Sequence, residues 1–447
     1  MEVQPGYLVK RLHKMIKLTS SSNLFRGMLV FAFIMTFGVA LAADRIAQVE
    51  CIEYPGRDPG VWNALYAAED GKVYSGLCTH SGSAHFYRYD PKTNKHENLY
   101  DIADFLGERK KGIRTSGKIH TPIVSDGKGA LYFGSLNAAV GPHNIDYTSW
   151  QGGHWLKYDM KSESLSDLGL VAPGVGLYTI GIDPQRQRLF GLGYTGYFYR
   201  HDIGSGKTAN LGRVSNWDIC RTTITDDLGN VYGCFPIGRI WKYDAKTEVI
   251  NDLSIRIPYD PTIFPVQVER PMIDRTGDWR SVVWDPLERV IYGVTTGSGS
   301  ILFKYDPFKG PEGEITDLGK LCAPRYMDSD QKDIPFSTLT LTLDSKARKI
   351  YYIASARTFH GGRYLETLNA PGNFHLIQYD LKTNERADLG ILQSKDGRRV
   401  FGCEAASISM DRTLYLAGLV EVEDKSKSTK TLDGIPSAMH LIKYKLP

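Results

Sequence analysis

Apolar and polar positions alternate along this chain in short runs that end on a recurring aromatic-acid pair. The copies are FYRYD ending at Asp90, WLKYD at Asp159, FYRHD at Asp202, IWKYD at Asp244, LFKYD at Asp306, LIQYD at Asp380 and LIKYK at Lys445. Upstream of each stands a β-type dipeptide, such as Val73-Tyr74, Leu131-Tyr132 or Val231-Tyr232, often after an Asp-Gly turn. Downstream of most come a polar turn, such as PKTNK or LKTNE, and a further short strand near Leu168-Gly169, Leu211-Gly212 or Leu389-Gly390. Period-2 alternation bounded by Gly and Asp turns predicts strands, so each unit reads as four short strands.

Seven units at spacings such as the 42 residues from Asp202 to Asp244 predict an all-β chain, a seven-bladed β-propeller of four-stranded blades. The chain stops at Pro447, after the third strand of the last unit, while Arg45 to Glu53 (RIAQVECIE) alternates like a strand ahead of the first. That segment is expected to supply the missing fourth strand and close the ring, removing free sheet edges.

Composition changes the picture at one end. Lys10, Arg11, Lys14, Lys17 and Arg26 precede the uncharged run MLVFAFIMTFGVALAA, the order of a basic n-region, an apolar h-region and a small-residue cleavage site. Residues 1–43 are therefore expected to be a signal peptide cut near Ala42 or Ala43, with an uncleaved anchor as the alternative. Residues 44–447 are then the propeller, a catalytic domain on the reading developed below, secreted or periplasmic and monomeric. No stable membrane partner is expected unless the segment is retained. Without the five basic residues and Glu2 the formal charge falls from +4 to zero, so the basic balance gives no support to nucleic-acid binding. The six cysteines have no CxxC spacing. Disulfides are permitted in an exported chain, and their pairing stays open.

In a propeller the starts of the first and third strands of each blade share a rim. Counting back nine residues from Gly129 places His120 at a first-strand start, and the same register gives Trp62, Tyr178, Cys220, Arg280, Leu339 and Cys403. Third-strand starts carry His85, His154, Tyr197, Arg239, Ile301, His375 and His440. For the repeated histidines a structural role competes with function. His154 follows Gly152-Gly153 and shares its blade with His120; Tyr178, Tyr194 and Tyr197 come from the next blade, and Arg221 from the one after. Just ahead of His120 runs RKKGIRTSGK, with Arg109, Lys110, Lys111, Arg114 and Lys118. It is either a solvated loop or a positive patch that draws polyanions to the rim.

KIHTP with DGKGALYFG, followed by GGHWLKYD, resembles the seven-bladed propeller polysaccharide lyases that include ulvan lyases. The resemblance implies cleavage of an acidic, sulfated, uronate-containing polysaccharide by β-elimination, leaving unsaturated uronyl ends. It implies His120 and His154 as the histidine pair, Arg221 as the arginine, and Tyr194 or Tyr197 as the tyrosine. His143, in the insertion before Gly152, competes with His154. Tyr178, Tyr197, Arg239, Arg280 and His143 are the substrate-binding candidates.

The chemistry needs these residue types: an arginine fork pairs with the C5 carboxylate, a near-neutral histidine takes the C5 proton, and a tyrosine or histidine protonates O4. No cofactor is required. The resemblance also implies a structural metal, zinc or calcium, for which Cys220, Cys234, Cys322, Cys403, His360 and His375 are candidates. Their spacing matches no standard zinc motif, and buried thiols in a propeller core account for them equally well.

There is no P-loop, no GxGxxG in a βαβ context, no GxSxG and no HExxH. A glycoside hydrolase would need a carboxylate pair, where the rim offers chiefly Glu404. The reading from another class is a non-catalytic extracellular propeller that binds a carbohydrate or a protein.

Overall fold

The recurring third-strand pattern explains how the sheets pack. In Arg239–Asp244 the side chains of Ile240, Trp241 and Tyr243 are fully buried, while Arg239, Lys242 and Asp244 reach partly to solvent. Ile240 and Trp241 are adjacent and so point to opposite faces, which means that both faces of the sheet are covered. His85–Asp90 and His154–Asp159 repeat the same burial order. A strand of this kind is stable only between neighbouring sheets.

The computed structural model describes residues 45–447 except 59, 80–81, 138–149, 195, 215–219, 236–237, 259–278, 296–299, 322–332, 337–339, 361–362, 366–373 and 433–434. Arg45–Pro447 form one compact unit. The chain is all-β with a little helix. Five four-stranded antiparallel sheets follow in chain order, each with its strands in sequential order: residues 65–101, 124–170, 177–213, 224–256 and 279–320.

The first strands of successive sheets touch. Val124–Ser125 meets Leu177–Asp183, which meets Ile224–Thr225, which meets Trp279–Asp285, which meets Leu341–Asp344; that strand meets Val400–Ile408, which meets Leu65–Ala67. The result is a propeller-like ring of four-stranded blades. Cores lie between sheets, where Phe86 stacks on Phe133 at 4.7 Å and Phe198 meets Trp241 edge-on at 5.2 Å. Each such ring stabilises the fold by roughly 1.5–3 kcal/mol.

Seven separate sheets are expected from the repeat, and among the described residues five four-stranded sheets stand separately. The remaining strands form one 11-stranded sheet because Ile46–Glu53 joins two groups. Its first half pairs in parallel with Arg386–Ser394, Ile46 opposite Ile391. Its second half pairs antiparallel with Ile435–Lys445, Glu53 opposite His440. Among the described residues no helix is long and apolar enough to cross a membrane.

Candidate functional site

His120 stands in the segment leading to Val124–Ser125 and is only 3% exposed. Its Nδ1–H donates to the carbonyl of Tyr178 at 2.9 Å, which fixes the tautomer and leaves an Nε2 lone pair. That lone pair accepts from Nη1 of Arg221 at 3.1 Å. Burial, and then the positive charges of Arg221, Lys118 and Arg280, hold the imidazole well below its ordinary pKa. His120 is thus a neutral base capped by a guanidinium.

Aromatic rings enclose the pair. Trp62 stacks on His120 with centroids 5.3 Å apart, and Tyr178 lies at 4.2 Å on a tilt. The Arg221 guanidinium lies 5.7 Å from the Trp62 centroid and 5.2 Å from that of Tyr178, close enough for cation–π attraction. Tyr194 stacks on Tyr178 at 5.3 Å. Asn63 Nδ2 donates to the Arg221 carbonyl at 3.4 Å, tying the Trp62 segment to that of Arg221. Four first-strand segments from successive sheets therefore converge on one cluster.

Trp62 shares the His120 register but is not among the substrate-binding candidates, so sequence reasoning missed it; the register was the signal that could have found it. Lys118 is buried at 6% exposure, and burial lowers its pKa. It therefore acts on the site rather than as part of a solvated patch. Arg109 instead pairs with Asp101 and Asp104 outside the cluster. Buried Glu108 accepts from the N–H and hydroxyl of Ser116, fixing the loop that leads to Lys118.

The third-strand register does not join this cluster. His154 Nδ1 bonds the carboxylate of Asp167 on the outer strand of its own sheet at 2.9 Å. Arg239 pairs likewise with Asp252, and His375 with Asp388. Each of these aspartates sits at a β-bulge and accepts from the backbone N–H two residues on: Gly169, Ser254 and Gly390. The pairing of His154 and Arg239 is thus a repeated clasp across the outer hairpin. His85 bonds Asp58 and Asp101, and His440 donates to the Ala438 carbonyl. Tyr197 is 36% exposed, with Arg213 over its ring. His143 and Cys322 lie outside the described residues, as does the side chain of His360.

The metal candidates do not converge either. Among the described residues no three His, Cys, Asp or Glu side chains are placed to hold an ion. Cys220 and Cys234 lie together with sulfurs 3.9 Å apart. Cys403 is buried elsewhere against Gly418, and His375 is engaged by Asp388. The described candidates therefore do not fit a structural zinc or calcium site.

No protein-family model matches the sequence, and no curated protein does. Solved structures match in fold. A chain from a crystal structure of a mitotic checkpoint complex is similar over 89% of this chain and 95% of its own, at 11% identity and a TM-score of 0.52. The extracellular domain of a putative hybrid two-component system from B. thetaiotaomicron matches 82% of this chain and 40% of its own, at 12% identity and a TM-score of 0.47. A putative 6-phosphogluconolactonase from Bacteroides uniformis matches 74% and 84%, at 10% identity and a TM-score of 0.44. At 11% identity the likeness to the first of these is one of fold alone.

Proposed function

We propose that this chain is an exported polysaccharide lyase that cleaves an acidic, uronate-containing glycan of the ulvan type by β-elimination. The scaffold is a seven-bladed propeller. Residues 341–394 and 400–445 form its last two blades, and Ile46–Glu53 is the outer strand that closes the ring. Residues 1–43 direct export. The working form is a monomer needing no cofactor.

The observation that carries the reading is the His120–Arg221 pair among Trp62, Tyr178 and Tyr194. A uronate carboxylate offers Arg221 a bidentate, charge-assisted pairing that outcompetes a neutral imidazole. Drawing the guanidinium toward the substrate frees Nε2, and the carboxylate offsets the positive field that depresses His120. The substrate thus strengthens its own base. Nε2 takes the C5 proton, the electron pair forms the C4–C5 double bond, and the C4–O4 bond breaks. A tyrosine hydroxyl, from Tyr178 or Tyr194, protonates O4. Arg221 holds the charge that develops on the carboxylate, a role worth on the order of 10²-fold or more in rate. His154 enters no step.

The test is incubation with ulvan, alginate, pectin and glycosaminoglycans while following the ultraviolet absorbance of the unsaturated product. Arg221→Ala and His120→Ala are each expected to cut the rate by ~10²-fold or more, and His85→Ala to leave it intact. Folded protein that raises no absorbance with any of them would sink the reading. The second reading, a non-catalytic carbohydrate-binding propeller, draws on the Trp62, Tyr178 and Tyr194 rings, which suit stacking against sugars. It predicts binding of the same glycans without new absorbance.

A further inference from the structure

We infer that Cys220 and Cys234 are a disulfide pair that staples the segment carrying Arg221 to the neighbouring strand of its sheet. Their sulfurs lie 3.9 Å apart, with the Cys234 S–H directed at the Cys220 sulfur. The Cys234 N–H and the Trp279 indole N–H donate to that same sulfur. Both side chains are buried, at 4% and 2% exposure. Cys220 immediately precedes Arg221, and Cys234 ends the strand Val231–Cys234.

Closing the gap to the ~2.05 Å of a disulfide requires a shift of under about 2 Å. The hydrogen bonds lost are those of the two S–H groups, from Cys234 to the Cys220 sulfur, which the covalent bond replaces, and from Cys220 to the Thr222 carbonyl, which keeps the Trp279 indole as donor. No buried polar group is orphaned by the oxidation. Cys78, by contrast, donates to the Ile119 carbonyl, 3.5 Å away.

The oxidant is an external disulfide such as oxidised glutathione. The Cys220 thiolate attacks one of its sulfurs and releases a thiol, and the Cys234 thiolate then attacks the Cys220 sulfur and releases the second thiol. The two cysteines lose two protons and two electrons, and the external disulfide becomes two thiols. Because both sulfurs are buried, exchange takes place during folding or a local opening of this hairpin.

The bond does not rest on the lyase reading, although its consequence for Arg221 does. The full chain, refolded in a glutathione redox buffer, is alkylated in denaturant and mapped by peptide mass spectrometry. The expected result is a linked pair of peptides containing Cys220 and Cys234, two hydrogens lighter than the reduced pair. Both cysteines alkylated as thiols, or either one joined to another partner, would overturn the proposal. Hydrogen exchange across residues 220–235 is expected to slow on oxidation in the wild type and to be unchanged in Cys220→Ser/Cys234→Ser. Equal exchange in oxidised and reduced wild type would overturn the staple. A linked pair without glycan cleavage removes the lyase reading alone.

Discussion

His154 and His120 show how one residue type divides by its partner. His154 meets a carboxylate that also caps a bulge, so its worth is mechanical. The pair is partly exposed, and His154→Ala is expected to cost about 0.5–1 kcal/mol, read by chemical denaturation, with glycan turnover unchanged. Gly169 completes that bulge at a φ of +113°, and a Cβ there would meet nothing within 4 Å. Gly169→Ala should therefore cost roughly 1–3 kcal/mol through backbone strain alone.

His120 is held neutral by burial and by Arg221. A base with a depressed pKa stays active as the pH falls, so on the lyase reading the acid limb of kcat/KM should lie well below pH 6.5. In Arg221→Gln the residual activity should show that limb moved to higher pH. The meeting of His120 with Tyr178 was legible because repeat register places both on one rim; Trp62 shares that register but was passed over, and Arg221 stands one position beyond its register residue, Cys220. The fate of His154 was not legible, since its aspartate lies 13 residues on, across a bulge that alternation does not reveal.

Among elements, the outer hairpins repeat a device that explains why aspartate recurs. Asp244 accepts from the N–H groups of Lys246 and Thr247, and Glu248 follows with a φ of 57°. Asp90, Asp159 and Asp380 accept in the same way. The aspartate thus supplies the turn with local acceptors, while the tyrosine before it fills the core. Asp244→Ala should lower stability by about 1 kcal/mol, measured as a shift in denaturation midpoint, whereas Asp244→Asn should retain most of it. These hairpins were readable from sequence because every partner lies within a few residues. The fusion of the last strands into one sheet was not, because it depends on the parallel pairing of residues 46–49 with Arg386–Ser394, which alternation does not reveal.

For the whole molecule, Ile46–Glu53 is the strand on which most depends. It pairs with two others, and its Val49 side chain is fully buried. Deleting residues 45–53 would expose the edges of Arg386–Ser394 and Ile435–Lys445. The expected result in thermal unfolding and size-exclusion chromatography is loss of a single cooperative transition together with association through those edges. Val49→Ala, a milder change, should cost about 1–3 kcal/mol and keep the transition intact. Unaltered unfolding in the deletion would show that the strand is dispensable.

That strand also sets an order of events during synthesis. Among the described strands Ile46–Glu53 is the first made, and its partner Ile435–Lys445 is the last of them. Its pairing spans almost the whole described chain, giving it one of the largest sequence separations in the fold. Contacts of that kind bring high contact order and slow folding. Until Ile435–Lys445 arrives, residues 50–53 must wait without their antiparallel partner, their backbone groups open to pairing with other chains.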